Sequence, residues 1–507
     1  MTIVNSIFTW FMKKRMHQIE LFIKYPHDVQ DEVFRNLLSG ARNTEWGKLY
    51  DFNSILNQEQ FKKRVPIQSY ESLKPYIERM LNGEQNVLWG TEIQWFAKSS
   101  GTTNDRSKFI PVSKESLEEC HYKGGKDLLS IYCNNRPDAL IFTGKSLALG
   151  GSHQVNQASG DIYYGDLSAV LIKNLPIWAE FYRTPDMSIT LMDNYEEKID
   201  KMARATMDVN VTSISGVPTW TVVLAKHILE LTGKNNLLEV WPNLELYIHG
   251  AVKFSPYKEQ FRQLIPSDKM YYLETYNASE GFFGIQDQSD SDEMLLMLDY
   301  GIFYEFLPME HFGEEDPKTL GLHEVALNKN YALIISTNGG LWRYMIGDTV
   351  KFTSLSPYRI QITGRTKHFI NAFGEEVIID NAENALTKAC DETGAIIKDY
   401  TACPIYFNNE GAGGHEWIIE FEQNPKDIER FTDVLDNTLR EINSDYDAKR
   451  FKDMALRRPI IHVASQGTFY NWLKTKGKLG GQHKVPRLAN ERKYVEEILA
   501  MKAGLTV

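Results

Sequence analysis

The segment VTSISGVPTWTVVLAKHILELTG, residues 211–233, constrains the fold of this chain more than any other stretch. A β-branched run meets Gly216 and Pro218, and an apolar helical pattern follows until Gly233. Proline at the start and glycine at the end of a helical pattern predict a strand, a turn and a helix in that order. Short apolar runs alternate with helical patterns throughout residues 92–292, and such units build a largely parallel, doubly wound sheet.

The pattern changes on both sides of this region. Residues 1–90 mix apolar and charged side chains at helical spacing. From about residue 293 the helical patterns disappear, and strands joined by an Asn-Gly-Gly hairpin turn are predicted. We therefore predict an α/β fold with a large N-terminal domain, residues 1–365, that contains doubly wound sheets and a β-rich subdomain. A small, mobile α+β domain, residues 366–507, is predicted to follow it.

Composition limits the partners of the chain. Its 507 residues carry a net charge of −11, which argues against binding to nucleic acid or to an anionic membrane surface, because both need basic patches. No run of apolar residues is long enough for a predicted membrane span. The four cysteines show no C-x-x-C spacing, which is typical of reduced thiols in a cytoplasmic protein.

A polar loop, KSSGTTNDRSK, lies between two strand-like runs at residues 98–108. Its hydroxyls and backbone N–H groups suit an anion, and Lys98, Arg106 and Lys108 add positive charge. This chemistry favours polyphosphate binding, although the loop lacks the Walker A spacing. Taken alone, such a loop is also typical of a solvated turn.

A second candidate loop, TYNASEG, occupies residues 275–281. Tyr276 offers a flat face for a nucleobase, and Ser279 and Glu280 are predicted at the edge where a strand meets a loop. A carboxylate there is suited to hold Mg²⁺ against phosphate oxygens. Taken alone, Glu280 is equally typical of a surface or capping residue.

Two later segments carry further candidates. In WRYMIGDTV, residues 342–350, Gly347 predicts a tight turn, after which Asp348 projects as an acceptor for two ribose hydroxyls. KTKGKLGGQHKVPR, residues 474–487, is basic and rich in glycine, so a mobile loop is predicted to bring the Lys484 ammonium to a phosphate. Each segment alone is also typical of an ordinary turn or a solvated tail.

Together these segments resemble the adenylate-forming superfamily, and within it the auxin-responsive (Gretchen Hagen) acyl acid–amido synthetases and their bacterial relatives. The resemblance rests on SSGTT with Lys108 after four further residues, and on SGVPTW, WPNLELYIHGA, YNASEG, YMIGD and HKVPR. It covers the chain from about residue 25 to the C-terminus. Asp105 departs from the pattern, since relatives often have glycine there, and Arg106 or Lys108 must offset its charge.

The resemblance implies a role for each matching residue. It assigns the ATP phosphates to Ser99, Ser100, Gly101, Thr102, Thr103 and Lys108, the adenine to His249, Gly250, Ala251 and Tyr276, and the ribose to Asp348 with Arg365 nearby. It assigns Mg²⁺ to Glu280 beside Ser279, and the α-phosphate and the acyl carboxylate to Lys484. The acyl group is assigned to Val217, Trp220 and Tyr164, which favour a hydrophobic acid but are equally typical of a core.

The implied reaction has two steps and uses ATP and Mg²⁺. A carboxylic acid attacks the α-phosphorus of ATP to give an acyl-adenylate and pyrophosphate, and an amine, for instance that of an amino acid, then takes the acyl group and releases AMP. The small domain is expected to rotate near residues 364–367 between the steps. Two alternatives stay open: an acyl-CoA ligase with the same first step, and a catalytically silent nucleotide-binding relative. The sequence does not decide between a monomer and a dimer.

Overall fold

Five helices precede the first strand, as the pattern of residues 1–90 predicts. The computed structural model describes residues 3–99, 108–150, 155–175, 177–192, 194–251, 254, 257–289, 291–366, 369–375, 377–406, 413–453, 455–475 and 486–503. The five helices are α1 (Ile3–Lys24), α2 (Pro26–Ala41), α3 (Glu45–Leu49), α4 (Gln58–Arg64) and α5 (Tyr70–Leu81). Local sequence explains their starts, since Ser69 and Ser72 form a reciprocal capping box at the start of α5.

Parallel strands and helices alternate in the middle of the chain. This part contains β1 (Trp95–Ser99), β2 (Lys108–Val112), a π-helical turn (Ser116–His121), α6 (Tyr122–Asn135), β3 (Lys145–Ala148), β4 (Asn156–Ser159), β5 (Ile162–Gly165), α7 (Leu167–Lys173), α8 (Ile177–Glu180), β6 (Arg183–Thr184), α9 (Met187–Thr190), α10 (Tyr195–Thr206), β7 (Val211–Ser215), α11 (Pro218–Thr232), β8 (Leu246–Gly250), α12 (Lys258–Leu264) and β9 (Tyr271–Ala278). Strands β6, β3, β7, β8 and β9 are parallel neighbours. A separate sheet has the order β2–β1–β5–β4.

The β7–α11 unit confirms the strand, turn and helix predicted for residues 211–233. Pro218 occupies the first turn of α11, where its missing N–H costs no hydrogen bond. Gly233 ends the helix in the left-handed region, with φ of 66°.

The β-rich segment continues the same large sheet instead of forming one of its own. Its strands are β10 (Gly281–Ile285), β11 (Met294–Leu296), β12 (Ile302–Pro308), β13 (Asn330–Thr337), β14 (Tyr344–Leu355) and β15 (Tyr358–Arg365). The sheet of eleven strands has the order β12–β13–β14–β15–β11–β10–β9–β8–β7–β3–β6. Strand β9 joins the two halves, because it is parallel to β8 on one side and antiparallel to β10 on the other.

The tight turn predicted at Gly347 is wrong. The hairpin turn lies earlier, at residues 338–340 between β13 and β14, as the Asn-Gly-Gly pattern predicts. Gly347 lies inside β14 with φ of 100°, and the pairing of β13 with β14 shifts register around it. Glycine without a Cβ adopts this conformation readily, so the residue forms a bulge that sets the direction of Asp348.

The C-terminal part is the α+β unit that the sequence predicts. It contains β16 (Phe369–Ile370), β17 (Val377–Ile378), α13 (Ile379–Thr393), β18 (Ile396–Ile405), β19 (Gly414–Gln423), α14 (Ile428–Ile442), α15 (Ser444–Arg450), β20 (Ile460–Ala464), α16 (Thr468–Thr475) and α17 (Lys493–Ala503). One apolar core contains Trp241 and Tyr247 from the large part together with Trp417 and Phe431 from this unit. The domain boundary after residue 365 stays a prediction, because this core extends across it.

Within the described ranges, none of the helices has the length and apolar character needed to cross a membrane.

Candidate active site

A cavity of about 1790 Å³ lies where β8 and β9 end, between the large sheet and the C-terminal unit. The carboxyl ends of parallel strands are the usual ligand site of such sheets, because the loops that follow them diverge there. Most of the predicted nucleotide residues that the structure describes line this cavity, namely Ser99, Lys108, His249, Ala251, Tyr276, Ser279, Glu280, Asp348 and Arg365. The fold therefore brings together side chains from five separate segments of sequence.

Other predicted residues lie elsewhere or outside the described residues. Ser100, Gly101, Thr102, Thr103 and Lys484 belong to the second group. Gly250 does not line the cavity, and a Cβ on it would lie 2.5 Å from the carbonyl oxygen of Thr275 on the neighbouring strand. Only a residue without a side chain allows β8 and β9 to approach so closely.

Asp348 is held by two neighbours on the floor of the cavity. The Tyr276 hydroxyl donates a hydrogen bond of 2.6 Å to its Oδ2, and Arg365 Nε donates one of 2.7 Å to its Oδ1. Asp348 and Arg365 face each other in the β14–β15 register. Burial and the nearby Asp348 carboxylate hold the pKa of Tyr276 well above its ordinary value, so the tyrosine stays a donor. Each carboxylate oxygen has a second lone pair for a ligand hydroxyl.

Glu280 and Lys108 form the charged side of the cavity. Burial raises the pKa of Glu280, and the positive charge of Lys108 opposes the shift. Lys108 is itself buried, with its Nζ 5.7 Å from the centre of the Tyr70 ring. It pairs with Ser99 in the β1–β2 ladder, so the predicted phosphate loop starts and ends at this cavity.

The end of β8 supplies another part of the cavity wall. His249 is buried and stacks on Phe254 with ring centroids 4.0 Å apart. Burial lowers the pKa of His249 to about 3, so its ring is neutral. Its Nδ1 is buried and has no hydrogen-bond partner among the described residues. Ala251 follows with φ of 69°, a left-handed conformation that costs a non-glycine residue energy and is typical of functional sites.

The residues assigned to the acyl group do not line this cavity. Val217 and Trp220 pack against the core shared with the C-terminal unit, and Lys449 Nζ lies 4.2 Å from the centre of the Trp220 ring. Tyr164 lies on β5, edge-on to Phe109 with centroids 5.2 Å apart. The acyl assignment therefore stays a prediction.

Several residues that line the cavity are not among those predicted from sequence. Asn277 lies within the TYNASEG motif. The signal available in the sequence is the alternation of side chains along a strand, which predicts that Asn277 points away from the face of Tyr276. The C-terminal unit contributes Asn371, Tyr406, Asn490 and Arg492. No local motif marks these four, since their position depends on how the unit packs on the sheet.

Models of one protein family match three consecutive segments of the chain. The GH3 family N-terminal domain matches residues 15–270, the GH3 family central domain residues 295–365, and the GH3 family C-terminal domain residues 380–493. The first match alone covers half of the chain. The chain belongs to the GH3 family. Its relatives include the indole-3-acetic acid-amido synthetase GH3.3 of Arabidopsis thaliana, with 23% identity over 94% of this chain and 91% of that protein.

Solved structures share the fold of this GH3 protein. The GH3.15 acyl acid amido synthetase superposes with a TM-score of 0.62 at 18% identity, over 96% of both chains. A 2-hydroxyisobutyryl-CoA ligase superposes with a TM-score of 0.57 at 12% identity, over 94% of this chain and 93% of that chain. The predictions of the family, of an α/β adenylate-forming fold and of an ATP-dependent ligase that activates an acid and forms an amide are thus confirmed at the level of the family.

Proposed function

We propose that this GH3 protein is an ATP-dependent acyl acid amido synthetase that joins a hydrophobic carboxylic acid to an amine, in the simplest case an amino acid. The observation that carries the proposal is that Tyr276, Asp348, Glu280 and Lys108 all line the same cavity. Such a cavity offers the groups that a nucleoside triphosphate needs. Tyr276 provides a flat ring for the base, Asp348 a carboxylate that accepts hydrogen bonds from the ribose hydroxyls, and Glu280 a carboxylate that can hold a cation.

The residues present fit ATP. The unpartnered Nδ1 of His249 is a buried polar atom in the wall where the adenine is expected, and a nucleobase can satisfy it. Asp348 would accept the ribose hydroxyls through its spare lone pairs. Lys108 supplies positive charge where the phosphates are expected, beside the ends of the predicted phosphate loop.

The residues also fit Mg²⁺ if phosphates supply part of its shell. Among the described residues, no group of three or more His, Cys, Asp or Glu side chains is placed to hold a metal. Mg²⁺ typically keeps several waters and binds through one or two carboxylates plus substrate phosphates, so Glu280 alone is an adequate protein ligand. When bound there, the ion would offset negative charge on the phosphate oxygens. It would also favour the ionised carboxylate that burial opposes.

The proposed reaction needs no nucleophile from the protein. In the first step a carboxylate oxygen of the acid bonds to the α-phosphorus of ATP, and the bond to pyrophosphate breaks. In the second step the amine nitrogen bonds to the acyl carbon, AMP leaves, and the amine loses a proton. The protein orients the reactants and excludes water. Lys484 is proposed to approach the α-phosphate in the first step.

A movement of residues 366–507 against residues 1–365 is proposed to separate the two steps. Two observations support it. The cavity is lined from both parts, and Gly364, just before the proposed boundary, has φ of 150°, which glycine adopts without strain. A rotation there would change which C-terminal side chains face the reactants.

The test is a product analysis with defined substrates. Pyrophosphate release is measured with ATP, Mg²⁺ and indole-3-acetate, benzoate or hexanoate, and amino acids or CoA are then added for mass spectrometry. The proposal expects pyrophosphate with at least one acid, followed by AMP and an N-acyl amino acid. Glu280→Gln should lose the activity, whereas Glu314→Gln, an exposed carboxylate paired with His311, should keep it.

Two results would contradict the proposal. Formation of acyl-CoA without amide would favour the acyl-CoA ligase, whose fold this chain also shares. Binding of ATP without pyrophosphate release from any acid would favour a catalytically silent nucleotide-binding protein.

A further inference from the structure

The π-helical turn and the start of α6 are fixed against the β9–β10 hairpin, which carries the candidate site. The backbone N–H of Phe282 donates a hydrogen bond of 3.2 Å to Cys120 Sγ. A Cβ on Gly124 would lie 2.6 Å from the Phe282 ring, so only glycine allows this approach. Single π-helical turns within α-helices are frequent at functional sites, because they turn one side chain away from its regular direction. Here the turn ends at His121.

His121 bonds to a residue of the cavity wall. It is 5% exposed, and its Nδ1 lies 3.1 Å from Asn277 Oδ1. Burial lowers the pKa of His121 to about 4, so the ring is neutral near neutral pH. A neutral ring nitrogen that faces a carbonyl oxygen must carry the hydrogen, so Nδ1–H donates and Oδ1 accepts. The side-chain carbonyl of Asn277 is thereby occupied, and its two amide N–H donors remain for the cavity that it lines.

Strand alternation gives these donors a direction. Successive side chains of a strand point to opposite faces, so Asn277 and Tyr276 leave β9 on opposite sides. Both still line the same cavity, because β9 ends one residue after Asn277 and the cavity continues around that end. Tyr276 and Asp348 are the proposed nucleotide side. Ser279 and Glu280, proposed to lie near the phosphates, follow in the next turn. Asn277 therefore lies in the same cavity as the proposed phosphate site, between Tyr276 and Glu280 along the chain, and it is not one of the residues assigned to the nucleotide.

We infer that His121 is a positioning residue, which fixes the Asn277 amide so that its N–H groups hold one carboxylate oxygen of the acyl acid. This inference rests on the proposed function. An acid held by one oxygen presents the other to the α-phosphorus, which lowers the entropic cost of the attack. A hydrophobic pocket alone would not orient the carboxylate, whereas a fixed amide does. Asn277 itself would touch the substrate, and His121 would act through it.

The test compares two substitutions of similar size at His121. His121→Asn keeps an N–H donor near the position of Nδ1, whereas His121→Leu fills the space without a donor. A third variant, Asn277→Leu, removes the amide itself. For each variant we measure kcat and KM for pyrophosphate release with indole-3-acetate, benzoate and hexanoate. Binding of Mg·ATP is measured by calorimetry, and the thermal midpoint checks folding.

A hydrogen bond to a charged group stabilises by about 1.5–3 kcal/mol, which is about 10- to 150-fold in rate or affinity. Asn277→Leu is therefore expected to lower kcat/KM for the acid by roughly 10- to 100-fold. His121→Leu is expected to lower it by about 10-fold, and His121→Asn by less than about 3-fold, because only the asparagine restores the donor. The dissociation constant of Mg·ATP should change by less than about 2-fold in all three variants, since neither His121 nor Asn277 is assigned a hydrogen bond to the nucleotide.

The outcomes separate this inference from the proposed function. If His121 only fills space, leucine in a buried site should serve at least as well as asparagine, and that result would overturn the positioning role. Equal weakening of Mg·ATP binding and of acid turnover would overturn the assignment of Asn277 to the acid. If the unchanged protein releases no pyrophosphate with any of the three acids, the proposed function fails, and the inference fails with it.

Discussion

Two arginine–carboxylate pairs lie at or next to β14. They differ in how many of their hydrogen-bonding groups are already bonded within the protein. Arg343, just before β14, pairs with Glu305 at 2.8 Å, with side chains 5% and 1% exposed. Arg365 pairs with Asp348 of β14 at 2.7 Å, with side chains 26% and 10% exposed. Arg343 and Asp348 both come from the candidate segment WRYMIGDTV, yet only the Arg365–Asp348 pair lines the cavity.

The Arg343–Glu305 pair is surrounded by hydrogen-bond partners from the protein itself. Its guanidinium also donates to the carbonyl oxygens of Lys62 and Val65, at 2.7 and 2.6 Å, and to Thr319 Oγ1 at 3.0 Å. It therefore ties the end of α4 to the large sheet and leaves no polar group for a ligand. Asp348 keeps acceptor capacity toward an open space. Burial of a charged pair thus does not mark a functional site, whereas an incompletely used carboxylate that faces a cavity does.

The largest effect is expected from Arg343→Met. Removing one partner of a buried pair leaves an uncompensated charge on Glu305 and costs about 3–5 kcal/mol of the free energy of unfolding. Urea denaturation measures the loss, and kcat per folded molecule should stay close to that of the unchanged protein. The double variant with Glu305→Met should recover part of the stability. An Arg343→Met protein that is fully stable but inactive would show that Arg343 acts in the active site and does not stabilise the fold.

Asp348→Asn should produce the opposite pattern. The amide cannot accept from the ribose hydroxyls as a carboxylate does, and at about 1.5–3 kcal/mol per charged hydrogen bond we expect kcat/KM for ATP to fall roughly 100-fold. The thermal midpoint should change by only a few degrees, since the side chain keeps its size. A matched control is Asp292→Asn at the rim of the same cavity, where the carboxylate pairs with Lys258 at 3.6 Å. The control should turn over normally.

His249 provides a third kind of buried polar group, since its Nδ1 has no hydrogen-bond partner in the described part of the chain. Its folded-state pKa of about 3 lies below the ordinary 6.5, so the unfolded chain binds more protons between these values. Stability is therefore expected to fall as the pH drops from 6.5, by at most about 1.4 kcal/mol per pH unit from this residue. His249→Gln should flatten that slope in denaturation curves at pH 6.5 and 5. An unchanged slope would mean that the ring gains a partner in solution.

Lys449→Met should have the smallest effect. The Lys449 ammonium over Trp220 contributes about 0.5–2 kcal/mol, which the cost of its burial offsets, so the net change at neutral pH should be about 1 kcal/mol or less. Burial lowers the pKa of Lys449, so the unfolded chain holds the proton longer as the pH rises. The unchanged protein should therefore gain stability relative to the variant as the pH rises toward 10.5, the ordinary lysine pKa. A shift in KM for the acid would instead support the acyl role predicted for Trp220.

Much of the fold and part of the site could be predicted from sequence. The sequence predicts Tyr276, Glu280 and Asp348 as site residues from polar positions close to predicted strand ends. In the structure Tyr276 and Asp348 lie inside β9 and β14, and the packing of these strands in one sheet brings the three residues together. Gly347 shows the limit of local reasoning. The sequence indicates its freedom of φ, but whether a glycine forms a turn or a bulge depends on the strand that pairs with it.

The sequence by itself determined the local elements: the helices of residues 3–81, the β7–α11 unit, the hairpin at residues 338–340 and the polar segments of the site. These depend on backbone preference, capping and hydrophobic periodicity within a few residues. Only the tertiary structure decided that the Arg343 guanidinium is fully hydrogen-bonded within the protein and that Lys449 lies over the Trp220 ring. It also decided that His121 hydrogen-bonds to Asn277, 156 residues away. Contacts of that range depend on how whole faces pack, and no short pattern records which side chains then meet.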